Sequence, residues 1–297
     1  MSISIGVCVF NEEKNIEKML NLLLNQKSTC EIIEIIVVSS GCSDKTNEIV
    51  KSEFLKSNSK VILLTQKVRE GKASAINLLL KHARGEIVVL ESGDTIPAEG
   101  TIESLTAPFK NPDVGMTGGH PIPINNPDTF LGFSVHLLWK LHHKIALKKP
   151  KLGELVAFRR DLVHEIPFDT AVDEAFIEAL LHEQGYQLRY VPSAIVYNKG
   201  PETISDFLKQ RRRITAGHLH LMRDKGYVPS SMKLNIVKLI FDDFTWTPKN
   251  IVWTFGAMVL EGYGRALGFY DFYIKKDKHY IWNIAETTKN VNPEQVK

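Results

Sequence analysis

Short apolar runs and amphipathic stretches alternate along the first third of the chain. Apolar runs rich in β-branched residues predict strands at 3–10, 32–38, 61–65 and 87–90. Between them, apolar residues at helical spacing predict helices at 14–24, 45–55 and 73–83. Strands that alternate with helices in such short units are typical of an α/β fold with a parallel, doubly wound sheet. Polar loops follow the strands, and the carboxyl ends of parallel strands meet at one edge of a sheet.

The pattern is less regular in the rest of the chain. Further strands are predicted at 114–119, 153–158 and 187–197, and further helices at 101–109, within 169–185 and at 204–222. The apolar stretch 251–274 contains Glu261 and Arg265, each of which costs ~2.5–3.5 kcal/mol at the centre of a bilayer. It predicts a helix that packs on the core or lies in the membrane interface. We expect an α/β unit over 1–225 and a helical extension over 226–297.

Composition narrows the class of protein. A chain of 297 residues with 43% hydrophobic and 24% charged residues is an ordinary globular chain, and a net charge of +3 does not suit a nucleic-acid-binding polycation. Cys8, Cys30 and Cys42 lack the spacing of metal ligands and suit a reducing compartment. No basic segment with a long apolar core opens the chain, so we expect a cytoplasmic protein.

Two of the loops carry charges suited to a phosphate ligand and its cation. Asp94 follows the strand at 87–90, where a carboxylate is well placed to hold a hard divalent cation; the alternative is an acid that begins a turn. Arg69, Gly71 and Lys72 precede a predicted helix. The glycine lets the backbone approach a ligand, and the cations suit a diphosphate beside the helix N-terminus.

Two later motifs admit both a functional and a structural interpretation. Asp173 and Glu174 lie at a predicted helix start, where they serve either as a catalytic base or as acids favoured by the helix dipole. Gln210 and Arg213 share a helix face. That face is either a phosphate clamp or a solvated basic surface.

In their order and spacing these motifs resemble the inverting glycosyltransferases of family 2, which have the GT-A fold. The resemblance covers about 3–215, and its motifs are Val9-Phe10-Asn11-Glu12-Glu13, the stretches 37–46, 69–77 and 172–174, and Gln210-Arg211-Arg212-Arg213-Ile214. The chain departs from the family pattern at Ser39 and Ser40, where aspartates are usual, and at Ile214, where tryptophan is usual.

The resemblance implies roles for individual residues. Glu174 takes the position of the catalytic base, with Asp173 as the alternative, and Asp94 binds Mg²⁺ or Mn²⁺ with Glu91 as a second ligand. Donor-binding residues are implied at Phe10, Asn11, Glu13, Ser40, Arg69, Lys72, Ser92, Gly93, Gln210, Arg211 and Arg213.

The implied function is metal-dependent sugar transfer from a nucleoside diphosphate, with UDP favoured over GDP. The basic segment 148–151 and the aromatic tail favour a lipid-linked glycan as acceptor and peripheral contact with the inner face of the cell membrane; soluble acceptors are the alternative. The departures at Ser39, Ser40 and Glu91 favour a rival, a catalytically weak sugar-nucleotide or membrane-surface binding protein of the same fold. A nucleotidyltransferase ranks lower because the first loop is not glycine-rich.

Overall fold

Four parallel strands form the first half of a single sheet. A computed structural model describes residues 1–228, 239–240, 245–281, 284–289 and 291. Strands β1 to β4 are Ser2–Val9, Glu31–Ser40, Val61–Gln66 and Ile87–Ser92, in the spatial order β3-β2-β1-β4. Helices α1 (Ile16–Leu24), α2 (Thr46–Ile49, continued by a wider turn over Val50–Leu55) and α3 (Lys72–His82) connect them. The predicted alternation of strands and helices is confirmed.

The second half of the sheet mixes strand directions. It comprises β5 (Thr95–Pro97), β6 (Val114–Pro123), β7 (Leu155–Arg159) and β8 (Gln187–Asn198), and the sheet continues β4-β7-β6-β8-β5. β7 runs antiparallel to β4 and β6, whereas β6 and β8 are parallel. β8 continues through Pro192 because its pairing with β6 shifts register between Gly118 and His120. A proline, which has no N–H to donate, is tolerated at such an irregularity.

Helices cover both faces of the sheet. Those of the second half are α4 (Thr101–Thr106), α5 (Phe130–Lys148), α6 (Asp173–Glu183), α7 (Ile204–Lys225) and α8 (Pro248–Tyr270). Side chains of β4 alternate between two clusters: Ile87 and Val89 pack in one, Val88 and Leu90 in the other. This burial on both faces explains the unbroken apolar run.

Helix α8 packs along α7 through small residues. A Cβ at Gly264 would lie 2.8 Å from Cβ of Arg211, and one at Gly268 would lie 2.6 Å from Cβ of Thr215. The buried residues of α8 are Thr254, Ala257, Gly264 and Gly268, at intervals of three, seven and four positions, so one stripe of the helix faces the protein. The helix therefore lies against the α/β unit along its length.

The rest of the predicted extension is only partly described. Stretches 229–238 and 241–244, next to the predicted unit boundary, lie outside the described residues. Among the helices that the structure does describe, none is long and apolar enough to cross a membrane.

Candidate active site

The loops after four parallel strands meet around a cavity of about 700 Å³. It is lined by Phe10 and Glu12 after β1, Ser40 in β2, Arg69, Gly71 and Lys72 before α3, and Gly93 and Asp94 after β4. Asp173 and Glu174 line it from the start of α6, and Gln210, Arg211 and Arg213 from α7. The topology thus brings residues from all the predicted motifs to one place.

A half-buried lysine contacts both predicted catalytic acids. Lys72 Nζ lies 3.2 Å from Oδ2 of Asp173 and 2.5 Å from Oε1 of Glu174. Burial opposes the charge on Lys72, but the two carboxylates raise its pKa well above the ordinary value. Burial, reinforced by Glu174, raises the pKa of Asp173 to about 6. Burial would also raise the pKa of Glu174, but Lys72 overcomes that effect and lowers it.

Glycine and helix geometry set up this contact. Gly71 has φ of 94°, which places Lys72 at the start of α3, and a Cβ there would lie 2.7 Å from the carbonyl oxygen of Tyr280. The N-terminal end of α6 favours its two acids through the helix dipole. The position at the helix start agrees with the structural interpretation of Asp173 and Glu174, and their catalytic role stays a prediction.

Acidic side chains surround Asp94, and sequence reasoning missed two of them. Burial, reinforced by Asp94, raises the pKa of Glu12 and of Glu154 to about 7. Glu154 has φ of 62°, an uncommon backbone conformation for a residue with a side chain. Glu12 lies inside the predicted Asn-Glu motif, so the sequence could have indicated it as a site residue. No sequence pattern indicates Glu154, because nothing local links the loop before β7 to β4.

Glu91 does not reach the cavity wall. Its side chain is 2% exposed, and one carboxylate oxygen accepts a hydrogen bond from the Thr95 hydroxyl. The next residue, Ser92, points to the other face of the sheet, where its hydroxyl lies 3.3 Å from Lys72 Nζ. Burial raises the pKa of Glu91 to about 8. As a metal ligand Glu91 remains a prediction that this orientation does not favour.

The described residues contain no group of three His, Cys, Asp or Glu side chains placed to hold a metal ion. Asp94, half-buried in the cavity wall, supplies one carboxylate. Asn198 is nearby on β8, paired with Thr95, and its Oδ1 has no hydrogen-bond partner in the described part of the chain. A hard cation fits these oxygen donors only if a phosphate ligand and water complete its coordination.

Some of the residues predicted to bind the donor line the cavity, whereas others only hold the first loop in place. The Arg69 guanidinium stacks 4.2 Å from the ring centre of Phe10, and both line the cavity. Asn11, with φ of 53°, accepts a hydrogen bond of 2.8 Å from the Ser43 backbone instead. Glu13 accepts one of 3.1 Å from the Lys45 backbone. Asn11 and Glu13 therefore hold the first loop against the second, outside the cavity wall.

The arginines of the basic motif on α7 also point in different directions. Arg213 faces the acids: burial lowers its pKa, while Asp173, Glu174, Glu154 and Asp94 oppose that shift. Arg212 points away and pairs with the buried carboxylate of Asp271. The predicted shared face of Gln210 and Arg213 agrees with both residues lining the cavity.

The last described segment closes over the first loop, which the sequence pattern did not predict. Lys289 Nζ donates to the carbonyl oxygens of Phe10 and Asn11 and pairs with Glu12, each at 2.6 Å. The Val291 backbone donates to Asn15 at 3.0 Å. The chain is thus tied to the carboxyl edge of β1 by a residue far away in sequence.

Two family models match this chain. The family model described as "Glycosyl transferase family 2" matches residues 4–161, more than half of the chain, and "Glycosyl transferase family group 2" matches residues 87–283. The chain belongs to glycosyl transferase family 2. The predicted family is therefore confirmed.

Two curated relatives of this family 2 chain are poly-beta-1,6-N-acetyl-D-glucosamine synthases. The one from Staphylococcus aureus (strain COL) is 26% identical over 267 residues, and the one from Staphylococcus epidermidis is 28% identical over 260 residues. These alignments cover 85% and 82% of this chain. In both cases the chain spans 62% of the relative's length.

Solved structures confirm the GT-A fold of this family 2 chain. The mannosyltransferase PcManGT from Pyrobaculum calidifontis, solved in complex with GDP-Man and Mn²⁺, has a TM-score of 0.60 and 22% identity over 97% of this chain and 86% of its own. Glucosyl-3-phosphoglycerate synthase from Mycobacterium tuberculosis, solved with Mn²⁺, UDP and glucosyl-3-phosphoglycerate, has a TM-score of 0.56 and 18% identity over 77% of this chain and 81% of its own.

Proposed function

We propose that this chain is a metal-dependent, inverting glycosyltransferase that moves a sugar from a nucleoside diphosphate to an acceptor hydroxyl. The observation that carries the proposal is the buried contact of Lys72 with Asp173 and Glu174 in the cavity that Asp94 also lines. A base for the acceptor and a cation for the diphosphate are the groups that such a transfer requires. Residues 1–225 form the transferase unit and 226–297 an accessory extension.

Similar proteins support the class of donor. PcManGT was solved with GDP-Man and the mycobacterial synthase with UDP, in both cases with Mn²⁺. In this chain Ser39 and Ser40 replace the carboxylates usual in the family, and the Ser40 hydroxyl accepts a hydrogen bond from the Glu70 backbone at 3.2 Å. We favour UDP over GDP as the donor nucleotide.

Glu174 has to lose its contact with Lys72 before it can act as the base. In the free protein Lys72 holds Glu174 ionised and lowers its pKa, which makes it a weak base. A donor diphosphate competes for the ammonium of Lys72, and Arg213 offers a second cation beside the acids. Loss of the lysine contact raises the pKa of Glu174 and frees an oxygen for the acceptor proton. Donor binding thereby prepares Glu174 to act as the base.

Asp94 is the proposed metal ligand, with Asn198 beside it and Glu91 as a weaker candidate. When bound, Mg²⁺ or Mn²⁺ offsets the charge that develops on the leaving nucleoside diphosphate. Phe10 and Arg69 form the wall on the nucleotide side, while Asn11 and Glu13 keep the first loop in place. Ser92, Gly93, Gln210 and Arg211 complete the proposed donor contacts.

A lipid-linked glycan is the proposed acceptor class, and a membrane surface is where the chain would meet it. The outer face of α8 and the turn after it exposes large apolar side chains: Ile251, Val252, Phe255, Met258, Val259, Tyr263, Phe269, Tyr270, Tyr273 and Ile274. Lys275 and Lys276 follow directly and are exposed. Aromatic and aliphatic side chains beside lysines suit an anionic membrane surface.

The membrane proposal is tested by sedimentation with anionic vesicles. Phe255→Glu, which places a charge on this face, should lower the fraction of protein that sediments. Leu55→Glu, at another exposed apolar position, is the matched control and should leave that fraction unchanged. Equal sedimentation of both variants and the wild type would rule out α8 as the membrane contact.

The transfer proposal is tested with a panel of UDP- and GDP-sugars. The protein with Mn²⁺ should release nucleoside diphosphate slowly by transfer to water, and EDTA should stop the release. Binding of a donor without any turnover would favour the rival, a catalytically weak sugar-nucleotide binding protein. Neither binding nor hydrolysis of any donor would refute the proposed function.

A further inference from the structure

The cavity continues from Arg211, one of the proposed donor contacts, to a basic end between α5, α7 and α8. Lys151, Arg211 and Arg265 line it there. Arg211 Nε lies 2.9 Å from one oxygen of Glu261, and Arg265 Nε lies 2.8 Å from the other. One carboxylate is thus shared by two guanidinium groups, so positive charge is in excess here even before Lys151 is added.

Lys151 has no hydrogen bond or ion pair with any residue that the structure describes. Burial, reinforced by Arg211, lowers its pKa to about 8. The other acid that acts on it, Glu178, already accepts hydrogen bonds from the Leu152 backbone at 3.0 Å and from the Tyr227 hydroxyl. Lys151 is half-buried in the cavity wall. An ammonium partly removed from water and without a partner among the described residues is costly, so an anion entering here would be stabilised.

Apolar side chains and a neutral histidine adjoin these cations. Leu138, Leu141 and Ile145 of α5 line the cavity, as does Met258 of α8. His142 is 7% exposed, and its Nδ1 has no hydrogen-bond partner within the described ranges. An unpaired, buried ring nitrogen in the wall of a cavity is a position where a ligand can supply the missing hydrogen bond.

We propose that this end of the cavity is an acceptor subsite for a phosphate group attached to an apolar chain, with Lys151, Arg211 and Arg265 as its cationic contacts. The fork of donors on arginine matches phosphate oxygens, and lysine adds a point charge. The apolar wall suits the chain. The assignment to the acceptor rests on the proposed function, whereas binding of the ligand does not.

The position of the subsite agrees with this role. Arg213, Arg211 and His218 all lie on α7 and line the cavity, and Arg213 interacts electrostatically with Asp173 and Glu174. A phosphate at Lys151 therefore occupies the same cavity as the proposed base. Met258 and Phe269 are exposed and also line the cavity. The apolar wall of the cavity thus reaches the exposed surface of α8 at these two residues.

Direct binding tests the subsite without any catalysis. Calorimetry with farnesyl phosphate below its micelle concentration should give binding at least about tenfold tighter than farnesol or inorganic phosphate, since a charge-assisted contact contributes that much. Lys151→Gln should remove about tenfold or more of that affinity. Lys140→Gln, an exposed lysine of α5 outside the cavity wall, is the matched control and should bind as the wild type does.

Arg265→Gln provides a second variant, since Arg265 is 41% exposed and its loss should disturb folding less. This variant should also bind farnesyl phosphate more weakly than the wild type does. Both variants should still bind the UDP-sugar, which shows that the fold is intact. Inorganic phosphate or farnesol binding as tightly as farnesyl phosphate would refute the subsite, as would unchanged affinity in Lys151→Gln. Farnesyl phosphate binding without donor hydrolysis would instead refute only the proposed function.

Discussion

Replacing Glu174 with glutamine isolates the proposed base. The substitution keeps the size of the side chain and removes one of the two carboxylates that contact Lys72. Asp173, 3.2 Å from Lys72 Nζ, remains to pair with the ammonium. The pKa of Asp173 should fall because Glu174 contributes to raising it. The local charge balance therefore changes by one carboxylate, without leaving Lys72 unpaired.

The expected effect is on chemistry and not on binding. Loss of a general base typically lowers kcat by about 10²–10⁴-fold, roughly 3–5 kcal/mol of activation free energy. Donor affinity should stay close to the wild-type value, because the proposed diphosphate contacts Lys72, Arg213 and Asp94 are intact. The measurement is donor binding by calorimetry beside the initial rate of transfer, with thermal unfolding as the check on folding.

Asp173→Asn is the matched control for this experiment. Asp173 is 2% exposed and touches the same lysine, but Glu174 stays in place to accept the proton. The variant should therefore retain more transfer activity than Glu174→Gln. If Asp173→Asn binds donor and is inactive while Glu174→Gln transfers sugar, the two roles have been exchanged and the reasoning from the lysine contact is refuted.

Three further predictions concern the charges around the cavity. Lys72→Met should destabilise the protein by about 3–5 kcal/mol, measured by urea unfolding, because buried Asp173 and half-buried Glu174 lose their cation. Adding Glu174→Gln should recover part of that loss. Asp94→Asn should abolish the Mn²⁺ dependence of donor binding. If the variant depends on Mn²⁺ as the wild type does, Asp94 is not a metal ligand. The pKa of Glu91 rises on folding from 4.5 to about 8, so the folded state holds its proton longer and stability should fall between those pH values. Glu91→Gln should flatten that fall, measured as Tm at pH 5 and pH 8.

The sequence alone predicted the order of the motifs and the sheet that positions them. Asp94 and Lys72 were placed at one edge because carboxyl ends of parallel strands meet there, and the cavity confirms that both line it. The antiparallel direction of β7 was not predicted, since an apolar run of four residues has the same pattern in either direction.

Individual side chains were harder to place. Alternation along β4 puts Glu91 and Ser92 on opposite faces, but which face holds the cavity depends on where α3 and α6 pack. Glu154 and Lys289 reach the site from loops with no pattern of their own. Their contribution becomes visible only when distant segments are brought together.

What the sequence determined by itself was the α/β alternation, the family and the edge where the polar loops meet, because periodicity and turn residues act locally. Only the tertiary structure decided that Asn11 and Glu13 support the first loop and that Lys72 pairs with both acids. It also decided that Lys151 lies in the cavity wall with no ion pair to any described residue. Those outcomes depend on burial and on charges far apart in the chain, and neither is encoded in any single stretch.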